Sequence, residues 1–229
     1  MDPLARLALA ALAFFALHSL VSGTAIRAVL VRAVGERGFR AGFSIASLAA
    51  IVWLVLSYRN SPCAPLWVLP REFSWLPALL MPLSLFFVAG AFSVPNPTAV
   101  GGERALTAAE PARGALRITR HPFLWGVMLW ASLHLLVIGG TAALWFFGSF
   151  LLTAALGTRS IDRKRARSGG EAWSRFLAVT SNLPFAAIAS GRNRLVLREL
   201  ALPLAIAAAL YVVLLVSHQW LFGVSPIPR

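Results

Sequence analysis

Six apolar runs, each close to the length that crosses a lipid bilayer, constrain this chain more than any other feature. A helix needs roughly 20 predominantly apolar residues to cross a hydrocarbon core of about 30 Å. The runs cover residues 4–21, 40–58, 75–92, 122–138, 142–156 and 199–216. Of the 229 residues, 59% are hydrophobic and only 13% are charged, which excludes an ordinary soluble domain. We therefore predict an all-α fold, a polytopic membrane helix bundle of about six transmembrane helices. It forms a single domain over residues 1–229, with the lipid bilayer as its surroundings.

The net charge of +13 is distributed unevenly among the predicted loops. Four basic residues lie between the first and second runs, four between the third and fourth, and nine between the fifth and sixth. The other four lie on the opposite side. Because cytoplasmic loops carry such an excess, we place these three loops in the cytoplasm and both termini outside it. The basic residues would then face lipid headgroups, which argues against a nucleic-acid partner.

The segment 113–134, RGALRITRHPFLWGVMLWASLH, joins a basic loop to the fourth apolar run. Pro122 suits the first position of a helix, which makes His121 the expected N-cap. A helix N-terminus carries partial positive charge, so we expect a neutral imidazole, the form that ligates metals or accepts a proton. Arg117 and Arg120 lie where guanidinium groups could clamp a carboxylate or phosphate. The alternative is that these residues simply mark the cytoplasmic end of a membrane helix.

The four histidines divide into two pairs by predicted depth. His18 lies in the cytoplasmic half of the first span, and His121 opens the fourth span on the same side. His134 follows His121 by thirteen residues, about 20 Å along a helix, and so pairs in depth with His218 on the outer side. Histidine inside a span is costly and therefore indicates a function.

The inner pair, His18 and His121, suits the two axial positions of a haem. Arg117 and Arg120 would neutralise its propionates. The aromatic residues expected to wall the macrocycle are Phe14, Phe15, Phe123 and Trp125. The alternative is that each histidine only forms a hydrogen bond between helices or lies at the membrane interface.

Two loops also have distinctive sequences. Residues 96–103, NPTAVGGE, are rich in turn formers, and their glycines allow the backbone to approach a ligand closely. Residues 157–175 alternate charges with Trp173, which is typical of an amphipathic surface helix. A plain loop and a headgroup-binding surface are the respective alternatives.

Several motifs in order resemble the NnrU family of bacterial membrane proteins. They are NPTAVGGE, RITRHPFLWGVMLWASLHLL, FGSF, LGTRSIDRKR, TSNLPFAAI, GRNR and FGVSPIP, and they cover nearly the whole chain. The resemblance implies a bacterial membrane protein with a link to nitrate, nitrite and nitric-oxide metabolism. In a bacterial inner membrane, the loop charges would place both termini in the periplasm. The family is similar to the 15-cis-zeta-carotene isomerases, integral membrane haem b enzymes. That similarity implies haem b as cofactor and His18 and His121 as its iron ligands.

A second resemblance is to membrane methyltransferases of the isoprenylcysteine carboxyl methyltransferase type. It rests on the Arg120-His121-Pro122 turn, the apolar helix after it and the basic segment that follows. A methyltransferase would need Glu103, Asp162 and Arg163 around S-adenosylmethionine. The paired glutamates usual in the later loop are absent here, and Ser160-Ile161-Asp162-Arg163 takes their place.

Three functions follow from these resemblances. The first is a haem-dependent cis–trans isomerase or redox protein acting on a hydrophobic or small gaseous substrate. The second is an S-adenosylmethionine-dependent membrane methyltransferase. The third is a non-enzymatic assembly or regulatory factor for denitrification, which would have membrane protein partners.

The charge asymmetry gives the first testable prediction. Reporters fused after Arg229 are expected to be active only when the reporter works outside the cytoplasm, because the basic loops hold the opposite side. Paired alkaline phosphatase and green fluorescent protein fusions in a bacterial host would measure this. Activity only of the cytoplasmic reporter would contradict the orientation.

Overall fold

The computed structural model describes residues 1–21 and 24–227, and their regular secondary structure is helical, with no β-strand among them. The helices are α1 Pro3–Ala16, α2 Ala25–Arg59, α3 Leu76–Phe92, α4 Ala115–Ile118, α5 Pro122–Ile138, α6 Thr141–Ser168, α7 Gly170–Val179, α8 Ala186–Ala189 and α9 Ala201–Phe222. A π-helical turn, Leu17–Val21, continues α1, and short 3₁₀ turns cover Arg71–Phe73, Gly102–Thr107 and Leu197–Leu200. The predicted all-α class is confirmed.

Five helical segments are long and apolar enough to cross a membrane. They are Pro3–Val21, Ala25–Arg59, Arg71–Phe92, Thr141–Ser168 and Leu197–Phe222. The shorter apolar helix Pro122–Ile138 has 17 residues, at the lower end of the spanning range. Large apolar side chains such as Val216 and Trp220 are exposed on α9, as lipid-facing side chains of a membrane helix would be. A helical membrane bundle is thus confirmed, with five long helices and a shorter sixth.

Two apolar runs lie inside longer helices. The basic residues before the second run and after the fifth were counted as loop residues, yet α2 begins at Ala25 and α6 continues to Ser168. The helix predicted over residues 157–175 is present, as the end of α6 and the first part of α7. Gly35 interrupts α2 with a left-handed φ of 74°, which separates its basic first part from its apolar second part. Charged residues therefore extend these helices beyond their apolar parts instead of ending them.

One compact unit comprises residues 1–70 and 131–160. A continuous row of aromatic rings runs through it, each ring centroid lying within 5.8 Å of the next. This aromatic row consists, in order, of His134, Phe147, Phe146, Phe150, Phe14, His18, Phe43 and Phe39, and Tyr58 packs against Phe146 and Phe147. Aromatic pairs at such distances add stabilisation beyond the area that they bury. Two of the four histidines are therefore part of the packing of this unit.

The turn between α5 and α6 is held by the connector that follows α2. The Leu66 amide donates to the Gly139 carbonyl at 2.7 Å, and the Thr141 amide donates to the Ala64 carbonyl at 2.9 Å. Gly139 has a φ of 56°, and a side chain there would collide with the Trp67 carbonyl. The turn at Gly139-Gly140 therefore needs glycine, because the connector approaches it closely.

The other compact unit comprises residues 71–130 and 161–229, described here to residue 227. Within it α3 packs along α9, where the Tyr211 hydroxyl donates to the Ala78 carbonyl at 2.6 Å. A buried core surrounds Phe86 and Phe87. A second core contains Trp173 and Phe176 of α7 together with Leu116 of α4. The aromatic residues of the predicted surface helix are thus buried against protein.

Gly126 is the site of closest approach between α5 and α3. A Cβ atom built there would lie 2.7 Å from Cγ2 of Val88 and 2.9 Å from the Ser84 carbonyl oxygen. The Ser84 hydroxyl donates to the Gly126 carbonyl at 2.8 Å. Small residues at helix contacts in membranes allow such close packing.

Gly126→Ala is therefore expected to lower stability by about 1–3 kcal/mol, because the added methyl group cannot be accommodated without moving α3. Gly148→Ala is the matched control, since its nearest neighbour, Leu144, would lie at an ordinary 3.9 Å. Thermal unfolding in detergent micelles would compare the two. Equal melting temperatures would contradict the packing described.

Candidate functional site

The candidate site is centred on the turn between α4 and α5. Helix α4 ends at Ile118, Thr119 is extended and fully buried, and α5 begins at Pro122. The Trp125 amide donates to the His121 carbonyl at 3.0 Å, which places His121 at the start of α5 as predicted. The His121 amide in turn donates to the Thr119 hydroxyl at 3.3 Å. Proline at the first helical position fixes this geometry.

Two other segments hold the turn in place. From one side, the Thr98 hydroxyl donates to the Arg120 carbonyl at 2.9 Å. From the other, the Arg120 amide donates to the Ser181 carbonyl at 2.9 Å, and the Thr119 hydroxyl donates to the Asn182 carbonyl at 2.6 Å. The backbone at Arg120 is thus bonded through both its amide and its carbonyl.

Asp162 on α6 joins Arg120 and His121. Nε of Arg120 lies 3.0 Å from both carboxylate oxygens of Asp162, and the Arg120–Asp162 pair is mostly buried. Nε2 of His121 lies 2.8 Å from Oδ1 of the same carboxylate. A two-pronged guanidinium–carboxylate pair fixes direction as well as distance. Asp162 therefore sets the orientation of the His121 ring.

The other ring nitrogen of His121 has no partner. The residue is 1% exposed, and its Nδ1 atom is buried without a hydrogen bond. Burial lowers the pKa of His121, and the hydrogen bond to Asp162 opposes this only in part. The lowered pKa favours the neutral imidazole that the sequence predicted, and its largest cause is burial, whereas the sequence argument invoked the helix dipole. A carboxylate only accepts hydrogen bonds, so Nε2 carries the proton and Nδ1 the lone pair.

Arg117 has a carboxylate partner within the protein. Its Nε lies 2.8 Å and its Nη2 3.0 Å from the two oxygens of Glu199, and Nη1 donates to Asn193 at 3.1 Å. Glu199 also accepts from the Gly114 amide at 2.7 Å. The hydrogen bond from Arg117 to Glu199 raises the pKa of Arg117. The sequence predicted that Arg117 could clamp a carboxylate or phosphate; in the structure it pairs with the carboxylate of Glu199, in the turn preceding α9.

The two arginines assigned to haem propionates are thus both engaged. Arg117 pairs with Glu199 and Arg120 with Asp162, each in a mostly buried pair. Binding a propionate would require one of these carboxylates to be displaced. Their propionate role remains a prediction that the geometry disfavours.

Glu103 is also paired within the protein. It lies 2.6 Å from Nη1 of Arg165, whose Nη2 donates to the Ala99 carbonyl at 3.1 Å. Gly102 is required because a Cβ atom there would collide with the Asn96 carbonyl oxygen. The glycine-rich loop therefore approaches its own backbone closely at Gly102, and its approach to a ligand remains a prediction. Glu103 and Asp162, the two carboxylates that a methyltransferase would need, are both paired with arginines.

Trp125 has a structural partner as well. Its Nε1 donates to the Asn182 carbonyl at 2.8 Å, and its ring packs against the core around Phe86. Phe123 is 43% exposed and stacks against Phe92 at 5.8 Å. The role of these rings as walls of a macrocycle remains a prediction.

His18 lies in the other compact unit, within the aromatic row. Its ring centroid is 4.4 Å from that of Phe14 and 5.5 Å from that of Phe43. Nδ1 donates to the Phe14 carbonyl at 2.8 Å, which makes Nε2 the lone-pair nitrogen. This is a form that ligates metals. The pairing of His18 with His121 on one iron remains a prediction.

The two outer histidines have different surroundings. His134 stacks on Phe147 at 4.9 Å with an interplanar angle of 17°. His218 is exposed, and its Nδ1 donates to the Val224 carbonyl at 2.8 Å. Among residues 1–21 and 24–227, no group of three or more His, Cys, Asp or Glu side chains is arranged to hold a metal ion.

The sequence did not indicate which residues pair with Arg117 and His121. Asp162 follows His121 by 41 residues and Glu199 follows Arg117 by 82, so no local spacing relates them. The available signal was the small number of acidic residues, because the chain has only eight of them against 21 basic residues. Four of the eight pair with arginines around the turn between α4 and α5: Glu103, Glu110, Asp162 and Glu199.

The distinctive chemical feature of this site is therefore the imidazole of His121. It offers a buried, neutral imidazole whose Nδ1 lone pair is unpartnered and whose Nε2 proton is held by a carboxylate. Such a nitrogen can ligate a metal or accept a hydrogen bond. The fold and this site define a helical membrane protein with a buried histidine centre.

The comparison with known proteins identifies its family. The chain matches the NnrU protein family over residues 6–226 and therefore belongs to it.

Two curated relatives are plant enzymes. The chain is 31% identical over 170 residues to the chloroplastic 15-cis-zeta-carotene isomerase of Zea mays, covering 71% of this chain and 45% of that protein. It is 29% identical over 176 residues to the enzyme of the same name from Arabidopsis thaliana, covering 73% and 46%. The chain spans less than half the length of these relatives. No solved structure gives a significant match. The NnrU assignment and the distant homology to these isomerases are thus both confirmed.

The Arg117–Glu199 pair gives a testable prediction. Glu199→Gln is expected to destabilise the protein by about 3–5 kcal/mol, because it leaves a buried guanidinium with only the exposed Glu110 as its counter-charge. The exposed pair Arg175–Glu171 provides the control: Glu171→Gln should cost about 0–0.5 kcal/mol. Unfolding by denaturant in micelles would measure both. A Glu199→Gln protein as stable as the control would contradict the assigned role.

Proposed function

We propose that this protein is a haem b-binding membrane enzyme that isomerises a double bond of an apolar, conjugated polyene. The observation that carries the proposal is the buried Nδ1 atom of His121, unpartnered and backed by Asp162. A buried polar atom without a partner is costly, and a bound ligand would remove that cost.

The sequence relationship supports the reaction class. Both plant relatives are named as isomerases of a cis-polyene, and each aligns with more than two thirds of this chain. Isomerisation leaves the atoms and electrons of the substrate in balance, so no co-substrate is required.

His121 is better placed to hold a haem than Arg117 and Arg120 are, because both arginines are already paired with carboxylates. In this proposal, His121 would hold the haem iron through Nδ1, and the pairing of His18 with His121 on one iron stays the prediction made from the sequence. When bound, a haem would supply a redox-active iron centre. The protein's own contribution is to orient the imidazole through Asp162 and to exclude water from a fully buried ring. The propionates would need partners other than Arg117 and Arg120, whose guanidinium groups are already paired.

The methyltransferase function has less support, because Glu103 and Asp162 are both held in ion pairs. The link to nitrate, nitrite and nitric-oxide metabolism, a small gaseous substrate, and an assembly role with membrane protein partners remain predictions. So does the bacterial inner membrane with periplasmic termini.

Absorption spectroscopy tests the cofactor. Protein purified after expression with ample haem is expected to show a stoichiometric Soret band, with visible bands that shift on dithionite reduction. His121→Ala and His18→Ala should each lose or alter the band, because an axial ligand is removed. His218→Ala is the matched control, since that imidazole is exposed. A spectrum without haem bands in the wild-type protein would overturn the cofactor assignment.

The reaction needs its own assay. Incubation of the haem-loaded protein with 15-cis-zeta-carotene, followed by chromatography of the geometric isomers, should show loss of the cis form. Isothermal titration with S-adenosylmethionine should show no binding heat. Haem content without isomerisation would reject the polyene substrate, and binding of S-adenosylmethionine would favour the methyltransferase.

A further inference from the structure

We propose that Asp162 is a positioning residue that locks His121 in the Nε2–H tautomer, so that Nδ1 is the working atom of the site. The inference rests on the proposed function only where it names haem iron as the ligand of Nδ1. The tautomer itself follows from the protein's own contacts.

The geometry leaves one consistent arrangement of protons. Both Asp162 oxygens lie 3.0 Å from Nε of Arg120, and Oδ1 also lies 2.8 Å from Nε2 of His121. With the carboxylate as acceptor on both sides, the imidazole must place its proton on Nε2. Nδ1 then carries a lone pair in a position that is buried and unpartnered.

Arg120 gives this arrangement its rigidity. Its side chain holds the carboxylate, while its amide and carbonyl are bonded to Ser181 and Thr98. Asp162 is therefore fixed relative to the backbone that carries His121. A carboxylate that fixes the tautomer and ring orientation of a ligating histidine also raises its basicity. Asp162 would thus act on the ligand through His121, without touching it.

Asp162→Asn should reverse the tautomer for a specific reason. Only one oxygen remains in the amide, and the guanidinium of Arg120 is the stronger donor competing for it. The amide NH2 group then faces His121 and donates to Nε2, which moves the ring proton to Nδ1. The lone pair at Nδ1 is lost while the shape of the side chain is kept.

The test is nitrogen NMR of the full-length protein in micelles, with ¹⁵N-labelled histidine and without haem. Substitution of each of the four histidines assigns the signals. The wild-type His121 is expected to show a protonated Nε2 and an unprotonated Nδ1, and Asp162→Asn should show the reverse. Wild-type His121 protonated at Nδ1, or an unchanged tautomer in Asp162→Asn, would overturn the inference.

Glu171→Gln is the control, because it removes a carboxylate–arginine pair, Arg175–Glu171, that is exposed and does not involve His121. It should leave the His121 signals unchanged. Asp162→Glu keeps the acceptor chemistry and should restore the wild-type tautomer. It also serves as the second variant if Asp162→Asn fails to fold.

Haem titration provides the second readout. Asp162→Asn is expected to lower haem affinity about 10–100-fold relative to wild type, with Asp162→Glu closer to wild type. Haem affinity and Soret position unchanged in Asp162→Asn would overturn the role of Nδ1 as iron ligand. A wild-type protein that binds no haem would overturn the proposed function, while the tautomer assignment is decided by NMR alone.

Discussion

The shared carboxylate of Asp162 is the interaction on which the candidate site depends. It neutralises a mostly buried arginine and orients a fully buried histidine at the same time. A buried charge without a partner is strongly unfavourable, so the removal of any one of the three groups is expected to lower the stability of the protein. The surrounding hydrogen bonds from Thr98 and to Ser181 fix the backbone of that unit. Polar groups thus organise a site in a protein whose surface is largely apolar.

Much of the fold could be read from the sequence because apolar length and proline position are local properties. Helix α5 runs from Pro122 to Ile138 as predicted, and α3 begins within one residue of the predicted start. The ends of α2 and α6 could not be read, because charged residues outside the hydrocarbon core are compatible with either a helix or a loop. Gly35, with its left-handed φ, shows the ambiguity directly: a helix breaker lies inside a region that is otherwise helical.

The candidate site was only partly predictable, for a different reason. His121 and its neutral state followed from its place beside Pro122, since both arguments concern adjacent residues. Its partner Asp162 is 41 residues away, and only the packed structure brings the two together. Arg117 and Arg120 show the same limit of prediction from the sequence. The sequence indicated what chemistry they bind, a carboxylate, but not that Glu199 and Asp162 of the same chain would supply it.

Helix α6 runs without interruption from Thr141 to Ser168. Asp162 lies 21 residues after Thr141, which corresponds to about 31 Å along an α-helix, close to the thickness of a hydrocarbon core. The part of α6 between Thr141 and Asp162 is thus as long as a hydrocarbon core is thick. One uninterrupted helix therefore carries both a stretch long enough to cross a membrane and, beyond it, the carboxylate that orients His121.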